Sequence, residues 1–193
     1  MVQMKLIGIA GTNGAGKDSV GQILAENGWL FISVTEMLRE ECRTRDLPVE
    51  RENLRMISAE WRREGGLGVL IDKALEVYNQ QGGDERFAGL AVASLRNPGE
   101  NDRVHELGGK VIWVDADPKV RYDRIRSANR GRVSEDDKTF EQFLAEEAAE
   151  MKSLGDPATL NMQAVKTTSD TIIYNESTPE DFRKLLIKVF MIA

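Results

Sequence analysis

Residues 8–24 read "GIAGTNGAGKDSVGQIL", and this stretch decides the fold. A glycine at 11, four further residues, then Gly16 and Lys17 give the spacing of a phosphate-binding loop, whose backbone N–H groups turn inward toward anionic oxygens. Gly11, Gly14 and Gly16 let the backbone approach closely, Asn13 and Ala15 complete the turn, and Lys17 brings a full positive charge. Upstream, "MKLIGIA" is too short and too apolar for an amphipathic helix and reads as a buried first strand; downstream, a helix starts at Lys17. An ordinary glycine-rich turn does not need both neighbours, whereas an anion socket at a helix N-terminus does.

Position 18 departs from the pattern. A serine or threonine hydroxyl usually follows Gly-Lys and reaches Mg²⁺, but the residue here is Asp18. Mg²⁺ is a hard ion that accepts carboxylate oxygen, so Asp18 is the candidate metal ligand, facing a cation and not bare phosphate. Ser19 also belongs to the expected nucleotide contact set, although one step along a helix turns it about 100° away. The later run "FAGLAVAS" ends in Ser94, where a carboxylate for the metal's water shell is expected, and Asp18 is read as compensating for it. Asp115, closing "VIWVD", suits either a metal-site carboxylate or the entry to a helix at Asp117-Pro118.

The rest of the chain sets the frame for this loop. The 193 residues, 41% hydrophobic and 30% charged, suit a single domain over 1–193 with a genuine core. A formal net charge of −6 argues against a nucleic-acid polymer as partner. The single cysteine, Cys42, excludes an internal disulfide and reads as an inert buried thiol; the single histidine, His105, carries no proposed chemistry. No apolar run approaches the ~18 residues of a membrane span, and the opening residues lack the marks of a signal peptide, so a cytoplasmic protein without a membrane partner is expected.

Apolar runs alternate with segments of helical period: "MKLIGIA", "WLFISV", "FAGLAVAS", "KVIWVDA" and "DTIIYN" as strands, with helices between them. A helical stretch over 35–81 is broken near Asp46-Leu47-Pro48 and at residues 64–68, and an acidic helix follows the basic run after the fourth strand. Thr178, Asp117 and Asp156 each precede a proline as helix N-caps, and Glu100 completes a capping box with Asn97. The expected architecture is a three-layer α/β fold around a five-stranded parallel sheet, with a helical acceptor-binding insert at about 35–81 and a short lid at about 121–138.

Moving a phosphoryl group demands positioning and positive charge more than a covalent catalyst. Arg121, Arg124, Arg126, Arg130 and Arg132 crowd the segment after the fourth strand. Lys17, Arg121, Arg124 and Arg130 are the catalytic candidates, while Arg126 turns away; ion pairing with the acidic helix is the competing use of the cluster. Arg39, Arg55 and Arg96 are candidates for the acceptor, with Arg51 on the same helical face as Arg55, a face equally suited to solvent.

Beyond the loop, "FISVTEMLREE" resembles the stretch that opens the acceptor site in adenylate-kinase-type enzymes. "SLRNPGENDRVHEL" and "VIWVDADPKVRYDRIRSANRGR" resemble the third-strand exit and lid start of dephospho-CoA kinases and archaeal adenylate-kinase-related proteins. The resemblance to the P-loop nucleotide kinase superfamily spans nearly the whole chain, and Gly-Lys-Asp loops occur in some of its members. It implies ATP and Mg²⁺ as donor and metal, a small-molecule nucleotide as acceptor, Thr35 and Arg39 at the acceptor site, and Asn175, after the last strand, beside the donor. Dephospho-CoA kinases place an aspartate just after the second strand, where this chain has Thr35 and then Glu36. An acceptor that is already a phosphate needs no base, so a nucleoside monophosphate is favoured, with dephospho-CoA as the alternative. A non-catalytic nucleotide-binding regulator is the reading of another class; it has no use for acceptor-side arginines.

Overall fold

The computed structural model describes residues 5–127, 138–152 and 155–190. Strands β1 (Leu6–Gly11), β2 (Leu30–Ser33), β3 (Leu90–Leu95), β4 (Lys110–Asp115) and β5 (Thr171–Tyr174) form a five-stranded parallel sheet in the order β2-β3-β1-β4-β5. Along β1, Leu6 and Ala10 face one side and Ile7 and Ile9 the other, and both sides are covered. A strand buried twice over has no polar face to show, which is why its sequence is uniformly apolar.

Helices α1 (Lys17–Glu26) and, near the end of the chain, α10 (Pro179–Phe190) cover one face, through Val20, Leu24, Phe182 and Leu186. The other face is covered by an insert between β2 and β3, made of α2 (Val34–Thr44), α3 (Arg51–Gly65), α4 (Val69–Gln80) and the short α5 (Gly83–Arg86). It contributes Leu38, Ile57, Leu70 and Ile71, joined by Val104 of α6 (Pro98–Glu106). Each fully buried aliphatic side chain of this kind contributes about 1.5–3 kcal/mol relative to exposure. The sequence breaks fall as expected: Asp46 takes a φ of 53° after α2, and Gly66 one of 91° after α3. After β4 come α7 (Pro118–Ser127), α8 (Phe140–Glu150) and α9 (Met162–Thr167).

The caps follow the sequence at Thr178, whose hydroxyl accepts from Asp181 N at 3.2 Å, at Asp117, which accepts from Lys119 N at 2.8 Å, and in the Asn97–Glu100 capping box. Asp156 is a correction. No helix follows it; its carboxylate accepts from Ala158 N at 2.9 Å in a turn, because the carbonyls of Pro157 and Thr159 are taken by Asn97 Nδ2, each at 2.7 Å. Nor does Asp115 serve as a helix entry, a role filled by Asp117. Reversal of strand order about β1 opens a crevice at the carboxyl end of the sheet, where α/β proteins of this kind bind ligands.

Candidate active site

At the end of β1 the chain passes so close to β4 that a Cβ on Gly11, whose φ is 140°, would lie 2.1 Å from the Val114 carbonyl oxygen. Gly16, at a φ of 100°, is pressed by Asn175, whose Nδ2 would meet a Cβ at 2.4 Å and donates to Ala15 O at 2.9 Å. Neither position admits another residue without moving the loop. Thr12 Oγ1 donates to Asp115 Oδ1 at 3.0 Å, and Asp115 also receives Lys166 Nζ at 3.0 Å and Trp113 Nε1 at 3.2 Å. Burial works against its charge, but those hydrogen bonds, led by that from Lys166, hold the Asp115 carboxyl below the usual carboxylate range. Arg121 is buried beneath the loop, donating to Asn13 O at 3.3 Å, Ala116 O at 2.8 Å and, through both terminal nitrogens, to Glu147. The competing use of the basic cluster, pairing with the acidic helix, is therefore realised at Arg121.

Lys17 Nζ donates to Gly11 O at 2.9 Å and Thr12 O at 2.7 Å, inside the loop's curve. Burial first, and then the positive charge of Arg96, lower its pKa to about 7, against the opposing pull of Asp18 and Glu150. An ammonium so poised is short of negative charge.

A cleft of about 740 Å³ runs over the loop. Asn13, Gly14, Asp18, Ser19, Arg124 and Asn175 line it; Gly11 and Ala15 lie in the loop's framework, and Ala15 is fully buried. Arg124 Nη2 reaches Asn175 Oδ1 at 3.5 Å, and its Nη1 is buried without a hydrogen-bond partner among the described residues. Thr35 and Arg39 of α2, Arg55 of α3 and Arg96 after β3 also line the cleft. Arg39 is paired with Glu36 on its own helix. Arg55 and Arg96 both reach Glu150, at 2.7 and 3.1 Å, as does Arg51 at 3.5 Å. Arg130, and with it most of the expected lid, lies outside the described residues.

Among the described residues no group of three or more histidines, cysteines or carboxylates could cage a metal. That donor set fits Mg²⁺ held mainly by phosphates and water with one protein carboxylate, and the exposed Asp18 in the first turn of α1 can be that one. Ser94 interrupts the β1–β3 register, since Ile9 pairs with Ala93 and Ala10 with Leu95, and its φ of 73° is left-handed. The bulge carries Ser94 into the lining of the cleft.

Sequence reasoning did not find Glu150, the Lys166–Asp115 contact or the buried Arg62–Glu100 pair, in which Arg62 Nη2 meets Glu100 Oε1 at 2.6 Å. Only the Asn97–Glu100 capping box signalled part of the last, as Glu100 Oε2 also accepts from Arg96 N at 2.7 Å and so fixes where that arginine starts.

Residues 7–149 match the model of the AAA domain family. The chain belongs to that family. This AAA-domain chain is 29% identical to a UPF0200 protein of Pyrococcus horikoshii, over 95% of each chain. It is 28% identical to a UPF0200 protein of Pyrobaculum aerophilum, over 90% of this chain and 89% of that one. Among solved structures, it is similar to shikimate kinase from Bacteroides thetaiotaomicron, with a TM-score of 0.62 and 16% identity over 98% of this chain and 99% of the other. Dephospho-CoA kinase from Campylobacter jejuni aligns with a TM-score of 0.54 and 16% identity, over 97% and 96%. At such identity the likeness is one of fold: the AAA-domain chain has a P-loop NTPase architecture of the small-molecule kinase kind. Among the described residues no helix is long and apolar enough to cross a membrane.

Proposed function

We propose that the protein is an ATP-dependent phosphotransferase acting on a small acceptor, with a nucleoside monophosphate favoured. The observation that carries this reading is the continuity of the cleft: Lys17 and Arg124 on the donor side share it with Arg39, Arg55 and Arg96 on the other. A nucleotide switch needs the first set; only a transferase needs both.

In this reading the backbone N–H groups from Asn13 to Lys17 cradle the β- and γ-phosphates, and Lys17, short of a counter-charge, gains one when they arrive. Arg124 spends its unpartnered Nη1 on a phosphate oxygen. Arg121 positions the loop through Asn13 O, and Asn175 does so through Ala15 O while lining the donor side. Arg130 is assigned to the transferring group with Arg124, from the sequence alone. Thr35 and Arg39 orient the acceptor, while Arg96, whose charge already reaches Lys17, bridges the two halves. Mg²⁺, bound by the phosphates and Asp18, would screen the charge that otherwise repels an anionic acceptor.

The test is ATP–Mg²⁺ turnover with AMP, CMP, UMP, deoxynucleoside monophosphates and dephospho-CoA offered singly. One monophosphate should stimulate ATP consumption and appear as the diphosphate; Lys17→Ala should lower that rate by at least ~10²-fold with an unchanged circular dichroism spectrum. Transfer to dephospho-CoA would move the acceptor assignment alone. Turnover indifferent to every acceptor would replace the transferase with a regulator.

A further inference from the structure

Glu150 is the last residue of α8, where the helix dipole places partial negative charge and a carboxylate is disfavoured by about 0.3–1 kcal/mol. No basic residue of that last turn offsets it. What holds it comes from elsewhere in the fold: one carboxylate oxygen meets Arg55 Nη2 at 2.7 Å and Arg51 Nη1 at 3.5 Å, and the other meets Arg96 Nη1 at 3.1 Å. These arginines stand on α3 and after β3, 54 to 99 residues away in sequence, so no local pattern accounts for the cluster. Arg51 also reaches Glu146 at 3.3 Å. Glu150 is largely buried, at 14% side-chain exposure; burial opposes its charge, yet Arg96, Arg51 and Arg55 hold its carboxyl below the usual range. Arg51, Arg55, Arg96 and Glu150 all line the cleft that holds Lys17. The cluster is thus an arginine cradle in the wall of the cleft that holds a carboxylate where its own helix disfavours one, and it opens beside the loop.

We infer that the Glu150 carboxylate is the built-in occupant of an anion site formed by Arg51, Arg55 and Arg96, and that a phosphate- or carboxylate-bearing ligand binds by taking its place. The inference rests on the phosphotransferase reading for what the ligand is, namely the acceptor with its anionic group next to the transferring phosphate. A dianionic phosphate matches the cradle better than a carboxylate does, and bidentate arginine contacts suit either. Displacing Glu150 releases the end of α8 from Arg55 of α3 and from Arg96 after β3, so acceptor binding and the position of that helix end are linked.

Inorganic phosphate is the probe, titrated by calorimetry at low salt into wild type, Glu150→Gln, and Glu150→Gln with Arg55→Ala. The single variant should bind phosphate about tenfold more tightly than wild type, and the second substitution should abolish the gain. Equal affinity in wild type and the single variant overturns the inference. A gain that survives Arg55→Ala also overturns it, since that phosphate sits on the glycine loop. Should Glu150→Gln not fold, Arg55→Ala carries the test: its side chain is half exposed, and its loss should weaken phosphate binding to otherwise wild-type protein several-fold, with no change counting against the cradle. Repeating the titration with acetate separates the two sources of charge: comparable binding assigns a carboxylate, phosphate alone a phosphate. A gain in a protein that never turns over ATP would remove the phosphotransferase and leave the cradle; turnover without a gain would do the reverse.

Discussion

Ser94 holds a backbone conformation that glycine adopts freely and a serine does not, with a φ of 73° in the bulge where β3 leaves register with β1. Such a residue costs about 1–2 kcal/mol, and strain of this kind collects at functional sites because the surrounding structure over-determines it. The place also matters: it is the strand end at which a metal-site carboxylate was expected. If the strain serves to point a hydroxyl into the cleft, removing the side chain should relieve the backbone and harm the function. Ser94→Gly is therefore expected to raise the melting temperature by about 2–4 °C, from roughly 1 kcal/mol, while lowering ATP turnover. A variant that gains stability and keeps full turnover would make the bulge a packing feature only. Asp18 is the converse case: its φ is unstrained and no hydrogen bond or ion pair holds its side chain among the described residues, so its proposed role depends on the ligand it would meet.

Between elements, the decisive contacts are those that tie the insert to the sheet. Arg62 of α3 and Glu100 of α6 are 4% and 0% exposed, and the pair also holds Ser58 Oγ, Ala158 O and the backbone N–H groups of Arg96 and Asn97. Breaking one side strands a buried charge. Arg62→Met should lose about 3–5 kcal/mol in urea unfolding, and Glu100→Gln added to it should recover part of the loss, because the amide oxygen still accepts from Arg96 N and Asn97 N. Additive losses would contradict a stranded charge. This pair marks how far the sequence could be read. Strand β1, the glycine turn, α1 and the Asn97–Glu100 box announce themselves over a few residues, since periodicity, φ > 0 and capping are local properties, and all lie where the sequence puts them. Asp156-Pro157 carries the same local signal as Asp117-Pro118 and yet makes a turn, because a side chain 60 residues away in sequence takes the carbonyls. The site divides likewise. Lys17, Asp18 and Arg96 could be named from motif and strand order, but the partner that gathers Arg55 and Arg96 lies in another helix, and the choice between a lid cation and a partner of the acidic helix, both open for Arg121 in the sequence, is made by the packing that sets it against Glu147.

For the molecule as a whole, the cleft makes stability depend on pH in a way that a nucleotide should reverse. Asp115 and Glu150 have folded pKa values below their ordinary 3.8 and 4.5, so they contribute stability above that range which is lost as pH falls through their folded values. Lys17 acts at the other end. Its pKa is about 7 folded against an ordinary 10.5, so the unfolded chain binds the extra proton between those values and folding is opposed by a buried charge below pH 7. Stability of the free protein should therefore rise from pH 7 toward pH 10.5 on account of this residue. Lys17 is half-buried, so solvent trims the effect to about 1–2 kcal/mol. Lys17→Met should accordingly be more stable than wild type at pH 6, with the gap narrowing at pH 9, in parallel urea melts. With saturating ATP–Mg²⁺ the phosphates supply the missing counter-charge and raise the lysine's pKa, so the alkaline rise should disappear, and binding at pH 8 should take up a fraction of a proton in calorimetry across buffers of different ionisation heat. Identical pH profiles for wild type and Lys17→Met would mean that the ammonium is already satisfied by the Gly11 and Thr12 carbonyls and needs no phosphate.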